Sequence, residues 1–264
     1  MSLIATGFIV NFLLFIATFV SLLVHYYFAS KGRKWAYEMR PMPQVQAISD
    51  GIDRAVEQGK PVHISVGDQS YLSGLFAVMT IAGMNVYRYT LRLCVRKGAR
   101  PIIAVPWNPE CLPLMDGIFR EVATAEKKPE MYKRDDMVYF GATEGHHSIG
   151  WTATILREGC ACIVEVGAMT GGGCTTPIGF ARDQGALVIG GTGRWIHQGT
   201  WCVLGDYPLF MEDIYAAGAS VTGDPTVQST QVSGDPIKLA IIVLIAVLTA
   251  LTFAGVPSLS WLKM

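Results

Sequence analysis

Charge is missing where most proteins have it. No Lys, Arg, Asp or Glu occurs in the first thirty residues, and only Lys263 carries charge after Lys238. The 21 basic and 21 acidic residues cancel, so no net positive field exists to release counterions from phosphates, and a nucleic-acid partner is not expected. Apolar residues make up 51% of the 264, which excludes a disordered tail. Catalytic punctuation is equally sparse. There is no Gly-Lys-Ser/Thr after a glycine run, no Gly-x-Ser-x-Gly, no His-Glu-x-x-His and no Cys-x-x-Cys. These absences remove the P-loop enzymes, the serine hydrolases with a nucleophile elbow, the common zinc proteases and the thioredoxin-type redox proteins.

What is present divides the chain. All acidic and all but one of the basic residues lie between Lys31 and Lys238, so the apolar excess belongs to the ends. Leu3 to Phe28 runs 26 residues without a formal charge, enough for a helix to cross the ~30 Å hydrocarbon layer. Its basic residues follow the apolar run instead of preceding it, which argues for a retained anchor over a cleaved signal peptide. Leu239 to Val256 is a second candidate span, extendable through Pro257 to Leu262, with Trp261 placed like an interface anchor. Lys31, Arg33, Lys34 and Arg40 follow the first span and Lys238 precedes the second. The positive-inside rule then predicts a two-pass protein of the cytoplasmic membrane, both termini outside and the middle in the cytoplasm.

Within the first span Gly7, Asn11, Leu14, Thr18, Ser21 and His25 follow one another at spacings of 4, 3, 4, 3 and 4. The stripe collects most of the small and polar residues of the helix, as expected of a helix–helix contact, either with the second span or with another copy. Thr and Ser can instead bond their own helix backbone. Membrane lipid and self-association, or a larger membrane complex, are therefore the expected partners.

The middle alternates. After Pro41 and Pro43, Val45, Ile48, Ile52 and Val56 mark an amphipathic helix ending at Gly59. Continuously apolar runs then appear at Val62–Val66, Pro101–Val105, Met137–Phe140, Ala161–Val166, Leu187–Ile189 and Trp201–Leu204. Helix-length stretches separate most of them, at Leu72–Lys97, Glu110–Glu126, His146–Arg157 and Pro177–Gln184, and Phe210–Ala217 follows the last. Strands apolar on both faces with helices between them predict an α/β fold, a Rossmann-like three-layer domain with a mainly parallel sheet. The predicted organisation is a membrane helix (1–30), a juxtamembrane segment with the amphipathic helix (31–58), a cytosolic α/β domain (59–237) and a second membrane helix (238–264).

Ligands of such sheets bind beyond the carboxyl ends of the strands. Of the loops there, Gly167-Ala-Met-Thr-Gly-Gly-Gly-Cys-Thr-Thr-Pro177 is the most suggestive. Thr176 has the character of an N-cap with Pro177 at the first helical position, and Gly171, Gly172, Gly173, Thr175 and Thr176 could turn backbone amides toward an anion. Arg194, in the second glycine cluster, could neutralise a phosphate, with Asp206 or Glu144 orienting it. A phosphorylated or nucleotide-like small molecule is one reading; a tight loop packed against a neighbour is the other. No cofactor is indicated. Glu144, His146 and His147, even with Asp206 or Glu212, lack ligand spacing, so no metal is expected. The six cysteines should be reduced in a cytosolic domain. Among them Cys174, at a helix start, is the one whose thiolate could be stabilised.

Pro61-Val-His-Ile-Ser-Val-Gly67, Ala82-Gly83, Met137-Val-Tyr-Phe-Gly141, Ile189-Gly-Gly-Thr192 and the long Gly205–Ala219 stretch resemble an uncharacterised prokaryotic family of membrane-anchored α/β proteins, a domain of unknown function. The likeness spans Gly59 to Leu251. It implies the α/β architecture and the closing membrane segment, but no reaction or ligand. After the fourth strand the family tends to Gly-x-Phe and a nearby Glu, where this chain has Met169 and a triple glycine. The expected function is therefore that of a membrane-tethered assembly module, homo-oligomeric or a small subunit of a larger membrane complex, with no catalytic activity identified; the alternative is binding or turnover of a phosphorylated or nucleotide-like ligand at the Gly167–Thr176 loop.

Overall fold

The computed structural model describes residues 6–254, with side chains from Asn11 onward. It divides into two compact units, one comprising the terminal segments up to Arg40 and from Gly223, the other Pro41–Thr222.

Pro41–Thr222 is an α/β domain. Five of the apolar runs are strands: β1 (Val62–Ser65), β2 (Pro101–Val105), β3 (Met137–Tyr139), β4 (Cys162–Val166) and β5 (Leu187–Thr192). With β6 (Tyr207–Phe210) they form one sheet in the order β3-β2-β1-β4-β5-β6, every pairing parallel. Strands β1, β2 and β4 are buried along their whole length, the reason their sequences show no polar alternation. One face packs against α2 (Pro43–Gln58), α3 (Ala77–Lys97), α4 (Leu112–Ala125) and α8 (Asp213–Ser220). Ile48, Ile52, Leu91 and Phe119 are withdrawn from water there, each contributing roughly 1.5–3 kcal/mol. The other face carries α5 (Glu144–Glu158), α6 (Gly171–Asp183) and α7 (Gln198–Leu204), around Trp151, Ile163, Ile178 and Trp201. Chain order reverses between β1 and β4, the topological switch point of a doubly wound sheet.

Two expectations are corrected. Trp201–Leu204 is not a strand but the last turn of α7. Trp201 is buried while Cys202 and Val203 are exposed, a helical spacing that apolar content alone conceals. The sixth strand follows it at Tyr207, and tolerates Pro208 because β6 is an edge, bonded on one side only. Second, α6 starts at Gly171, not at Pro177, which lies inside the helix; Thr170 takes the N-cap position and Thr176 is exposed on the second turn. The α/β unit comprises Pro41–Thr222, with Ile48 and Ile52 of α2 in its core.

In the terminal unit α1 (Thr6–Ser30) packs against α9 (Pro225–Val232), which leads into α10 (Asp235–Phe253). Asn11–Ser30 and Pro225–Phe253 are long and apolar enough to cross a membrane. Ser21 donates to the Ser233 carbonyl at 2.7 Å, and the His25 ring, buried, lies edge-on to Trp35 with centroids 5.3 Å apart. Thr18 bonds its own helix at the Leu14 carbonyl (2.8 Å), and Asn11 is exposed. The polar stripe is thus split between contact within the chain, self-bonding and an open face. Gly7 lies in α1 ahead of the described side chains, and Val256, Pro257, Trp261 and Leu262 lie outside the described residues.

Candidate functional site

The switch point is built from two loops that touch. After β1 the chain makes Gly67-Asp68-Gln69-Ser70; after β4 it makes Gly167-Ala-Met-Thr170. Gln69 N donates to the Ala168 carbonyl and Trp107 N to the Asp68 carbonyl, both at 3.1 Å. Gly67 has φ +94°, and a Cβ there would overlap the Ala168 carbonyl, so only glycine permits this crossing.

Around the crossing stand acids. Asp68, fully buried, accepts the Thr170 amide at Oδ1 (2.7 Å) and the Thr170 hydroxyl at Oδ2. Glu144, from the first turn of α5, accepts the amides of Gly172 (2.9 Å) and Gly173 (3.0 Å) at a single oxygen. Two of the amides that the sequence offers to an outside anion, those of Gly172 and Gly173, are therefore taken by the protein's own Glu144, and Asp68 takes that of the N-cap residue Thr170, which also explains why α6 starts six residues early. Caps supplied from other segments satisfy the Gly172 and Gly173 amides and leave no local signal. The glycines make room: a Cβ at Gly173 would overlap Asp68 Oδ2 and stand 2.6 Å from its Cγ.

Glu165 lies deeper, on β4, with no exposed surface and no hydrogen-bond partner for either carboxyl oxygen. Its strand neighbours Val164 and Val166 point to the opposite core, so the alternation of the strand sends Glu165 toward α6. There it meets Asp68 and Cys174. One donor atom from each of the three lies within 4.8 Å of the others, the one such grouping of metal-capable side chains among the described residues. Burial sets their protonation. It drives the Glu165 carboxyl well above the usual range, with the nearby Asp68 adding to the effect. It raises Asp68 to about 6 against the opposing hydrogen bonds from Thr170. The Cys174 thiol is also pushed well up, by burial and then by the Glu165 and Asp68 charges, and its Sγ sits 3.0 Å from the Thr170 carbonyl. The expectation of a stabilised thiolate is thus overturned by burial among acids, which outweighs the helix N-terminus.

Arg194 closes one side. Its guanidinium donates to Gln69 Oε1 and to the Met169 carbonyl (3.1 Å), and lies over the Phe76 ring, 5.1 Å from the centroid. It serves to tie the β1, β4 and β5 loops together. His197 borders Gly171, its ring 3.2 Å from where a Cβ would stand. Thr175 bonds its own helix at the Gly171 carbonyl and approaches Thr200 at 3.5 Å.

Asp206 is elsewhere. It precedes β6, exchanging bonds with Val188 (Asp206 N to the carbonyl and Val188 N to Oδ2, both 2.9 Å), at the amino ends of the strands and the opposite pole from the site. The misplaced sixth strand caused this error, because a strand at 201–204 would have put Asp206 past a carboxyl end. Glu212 lies at the turn into α8. His146 takes the Thr143 cap through its amide (3.3 Å), while His147 is buried between Phe140 and Trp151, its ring lowered to about 4 by burial. All six cysteines are unpaired.

Glu165 is the residue sequence reasoning missed. Its signal was legible in Cys-Ile-Val-Glu-Val: an acid inside a strand read as buried on both faces, one residue from the carboxyl end.

The model of the domain of unknown function DUF6754 matches residues 5–261. The chain belongs to that family. No curated protein and no solved structure matches it. A family without an assigned reaction leaves the DUF6754 site to be read from its geometry.

Proposed function

We propose that this chain is a membrane-tethered ligand-binding protein whose α/β domain takes a small ligand bearing positive charge or hydrogen-bond donors in the crevice between β1 and β4. The observation that carries this is Glu165, a buried carboxyl with both oxygens unpartnered at the switch point where such sheets bind ligands. Leaving such a group unsatisfied costs about 1–3 kcal/mol, which a ligand that donates to it recovers. A phosphate is the poorer guest, since it would have to displace Glu144 and sit beside Asp68 and Glu165. The helices at each end hold the domain at the membrane, and Lys31, Arg33, Lys34, Arg40 and Lys238 favour a cytoplasmic placement.

The test is thermal unfolding of the full chain in nanodiscs against polyamines, guanidines, divalent cations, inorganic phosphate and nucleotides. A ligand at a hundredfold its Kd adds about 2.7 kcal/mol. Stabilisation by a cationic compound, lost in Glu165→Gln, supports the reading. Stabilisation by phosphates alone, or by no member, overturns it.

Asn11 favours a second reading, that the chain also assembles, as a homo-oligomer or a small subunit of a membrane complex. Its amide is exposed on an apolar helix, where lipid offers no partner and a neighbouring helix does. Asn11→Leu should shift cross-linked or native-mass species toward monomer; an unchanged distribution refutes this reading.

A further inference from the structure

We infer that Asp68, Glu165 and Cys174 form the binding site of a transition-metal dication of the zinc and cobalt class. The inference rests on the reading above, that the crevice takes a positively charged guest, and names that guest.

Three segments converge to make the site. Asp68 comes from the loop after β1, Glu165 from β4 itself and Cys174 from the first turn of α6, and one donor atom of each lies within 4.8 Å of the others. Convergence of acids and a thiol is not by itself a reason for a metal. The independent reason is Glu165: wholly buried, aimed at this cluster, and without a partner at either oxygen. A native fold rarely leaves both oxygens of a buried carboxyl idle, and neither Asp68 nor Cys174, the metal-capable side chains beside it, bonds to them.

The donor set selects the ion. Magnesium and calcium take oxygen ligands, whereas one thiolate with two carboxylates suits a borderline dication that accepts sulfur and oxygen together. A tetrahedral zinc with bonds of ~2.0–2.3 Å holds its donors roughly 3.3–3.6 Å apart, so the three side chains close in by at most about 1.5 Å. Asp68 is already oriented for this, its carboxyl held by the Thr170 amide and hydroxyl, in the manner of a ligand steadied by its neighbours. The fourth position is left for water or a substrate atom, the arrangement of catalytic sites as opposed to closed structural ones.

Charge and protons balance. As the metal–sulfur and metal–oxygen bonds form, the thiol proton of Cys174 and the carboxyl proton of Glu165 leave to solvent, with that of Asp68 where it carries one. A dication with three anionic donors has a net charge of −1. It lies at the N-terminus of α6, beside the segment that Arg194 binds at Met169.

The experiment uses the full chain in nanodiscs, reduced and treated with chelator, then titrated with Co2+ alone. The expected result is a thiolate-to-cobalt charge-transfer band in the near ultraviolet, with the visible bands of four-coordinate cobalt, saturating at one ion per chain and bleached by Zn2+. Cys174→Ser removes the charge-transfer band and Glu165→Gln weakens binding about a hundredfold, while replacing the exposed Cys202 by Ser changes neither. X-ray absorption of the zinc-loaded wild type gives a readout independent of whether any variant folds: one sulfur and the remainder oxygen. No charge-transfer band, a band that survives Cys174→Ser, or a zinc shell without sulfur overturns the metal. If polyamines or guanidines still stabilise the chain through Glu165, the cation-binding crevice outlives the metal; if nothing does, both fall.

Discussion

Alanine placed at three glycines of α6 should give three different answers. At Gly173 the new methyl overlaps Asp68 Oδ2 and stands 2.6 Å from its Cγ and 3.1 Å from its Cβ. No end rotation clears it, because the whole carboxyl is in the way. Asp68 must abandon the Thr170 amide and hydroxyl, at about 1.5–3 kcal/mol for each bond when the acid is ionised and less when it is neutral. Replacing a helical glycine returns up to ~1 kcal/mol, so the net loss is about 2–4 kcal/mol. For a domain of this size each kcal/mol moves the melting temperature by ~2–4 °C, and Gly173→Ala should melt roughly 5–15 °C below wild type. At Gly172 the methyl meets only the end of the Glu144 side chain (2.6 Å), which can swing aside but gives up its bonds to the Gly172 and Gly173 amides; water replaces them at this exposed site, so the loss should be about 1–2 kcal/mol, smaller than at Gly173. At Gly179 nothing lies within 4 Å, and alanine should stabilise by about 0.5–1 kcal/mol. Near-ultraviolet circular dichroism, reporting buried Trp151 and Trp201, follows the melts. Should Gly173→Ala melt with Gly179→Ala, Asp68 is not where the argument needs it.

The pH dependence of stability follows from the same acid. Asp68 has a folded pKa of about 6 against 3.8 unfolded, so its contribution is present below pH 4 and is lost as pH rises through 6. At 1.36 kcal/mol per unit that is about 3 kcal/mol, and Asp68→Asn should flatten this part of a denaturant titration; an unchanged slope would falsify the assignment. His63 runs the other way. Burial lowers it to about 4, so its stability is held above pH 6.5 and lost as pH falls through 4. Its Nε2 faces the Gly159 carbonyl at 2.9 Å and Nδ1 accepts from Trp151 Nε1 at 3.2 Å, and Trp151→Phe should therefore cost about 2–4 kcal/mol in urea unfolding. Of the six cysteines, Cys202 alone is exposed and should be the single thiol alkylated in the native protein. With a membrane-impermeant maleimide it should react in inverted vesicles and not in intact cells; labelling of intact cells would reverse the proposed orientation.

The sheet was readable because its inner strands are covered twice. Val62–Val66, Pro101–Val105 and Ala161–Val166 can be apolar throughout only where both faces are buried, and that implies parallel strands with helices between. The edges resisted. Tyr207-Pro-Leu-Phe is short, partly exposed and interrupted by proline, whereas Trp201-Cys-Val-Leu is more apolar and helical. Neither hydropathy nor propensity separates them over four residues. At the site, the glycine run and the flanking strand could be found from sequence, and its sign could not. Asp68 and Glu144 lie 102 and 28 residues from the amides they cap, and only the fold brings them there.

The bond from Ser21 to Ser233 joins residues 212 apart, and the whole α/β domain is strung between them. Pairing of α1 with α9 therefore acts on that domain as a clasp. While it holds, an unfolded domain remains a closed loop instead of a free chain. By the arithmetic used for long disulfide loops, that restriction is worth up to roughly 5 kcal/mol. Helices that look like anchors alone thus also lower the entropy the domain gains on unfolding. Excised from them, the same 182 residues from Pro41 to Thr222 would meet that disorder in full.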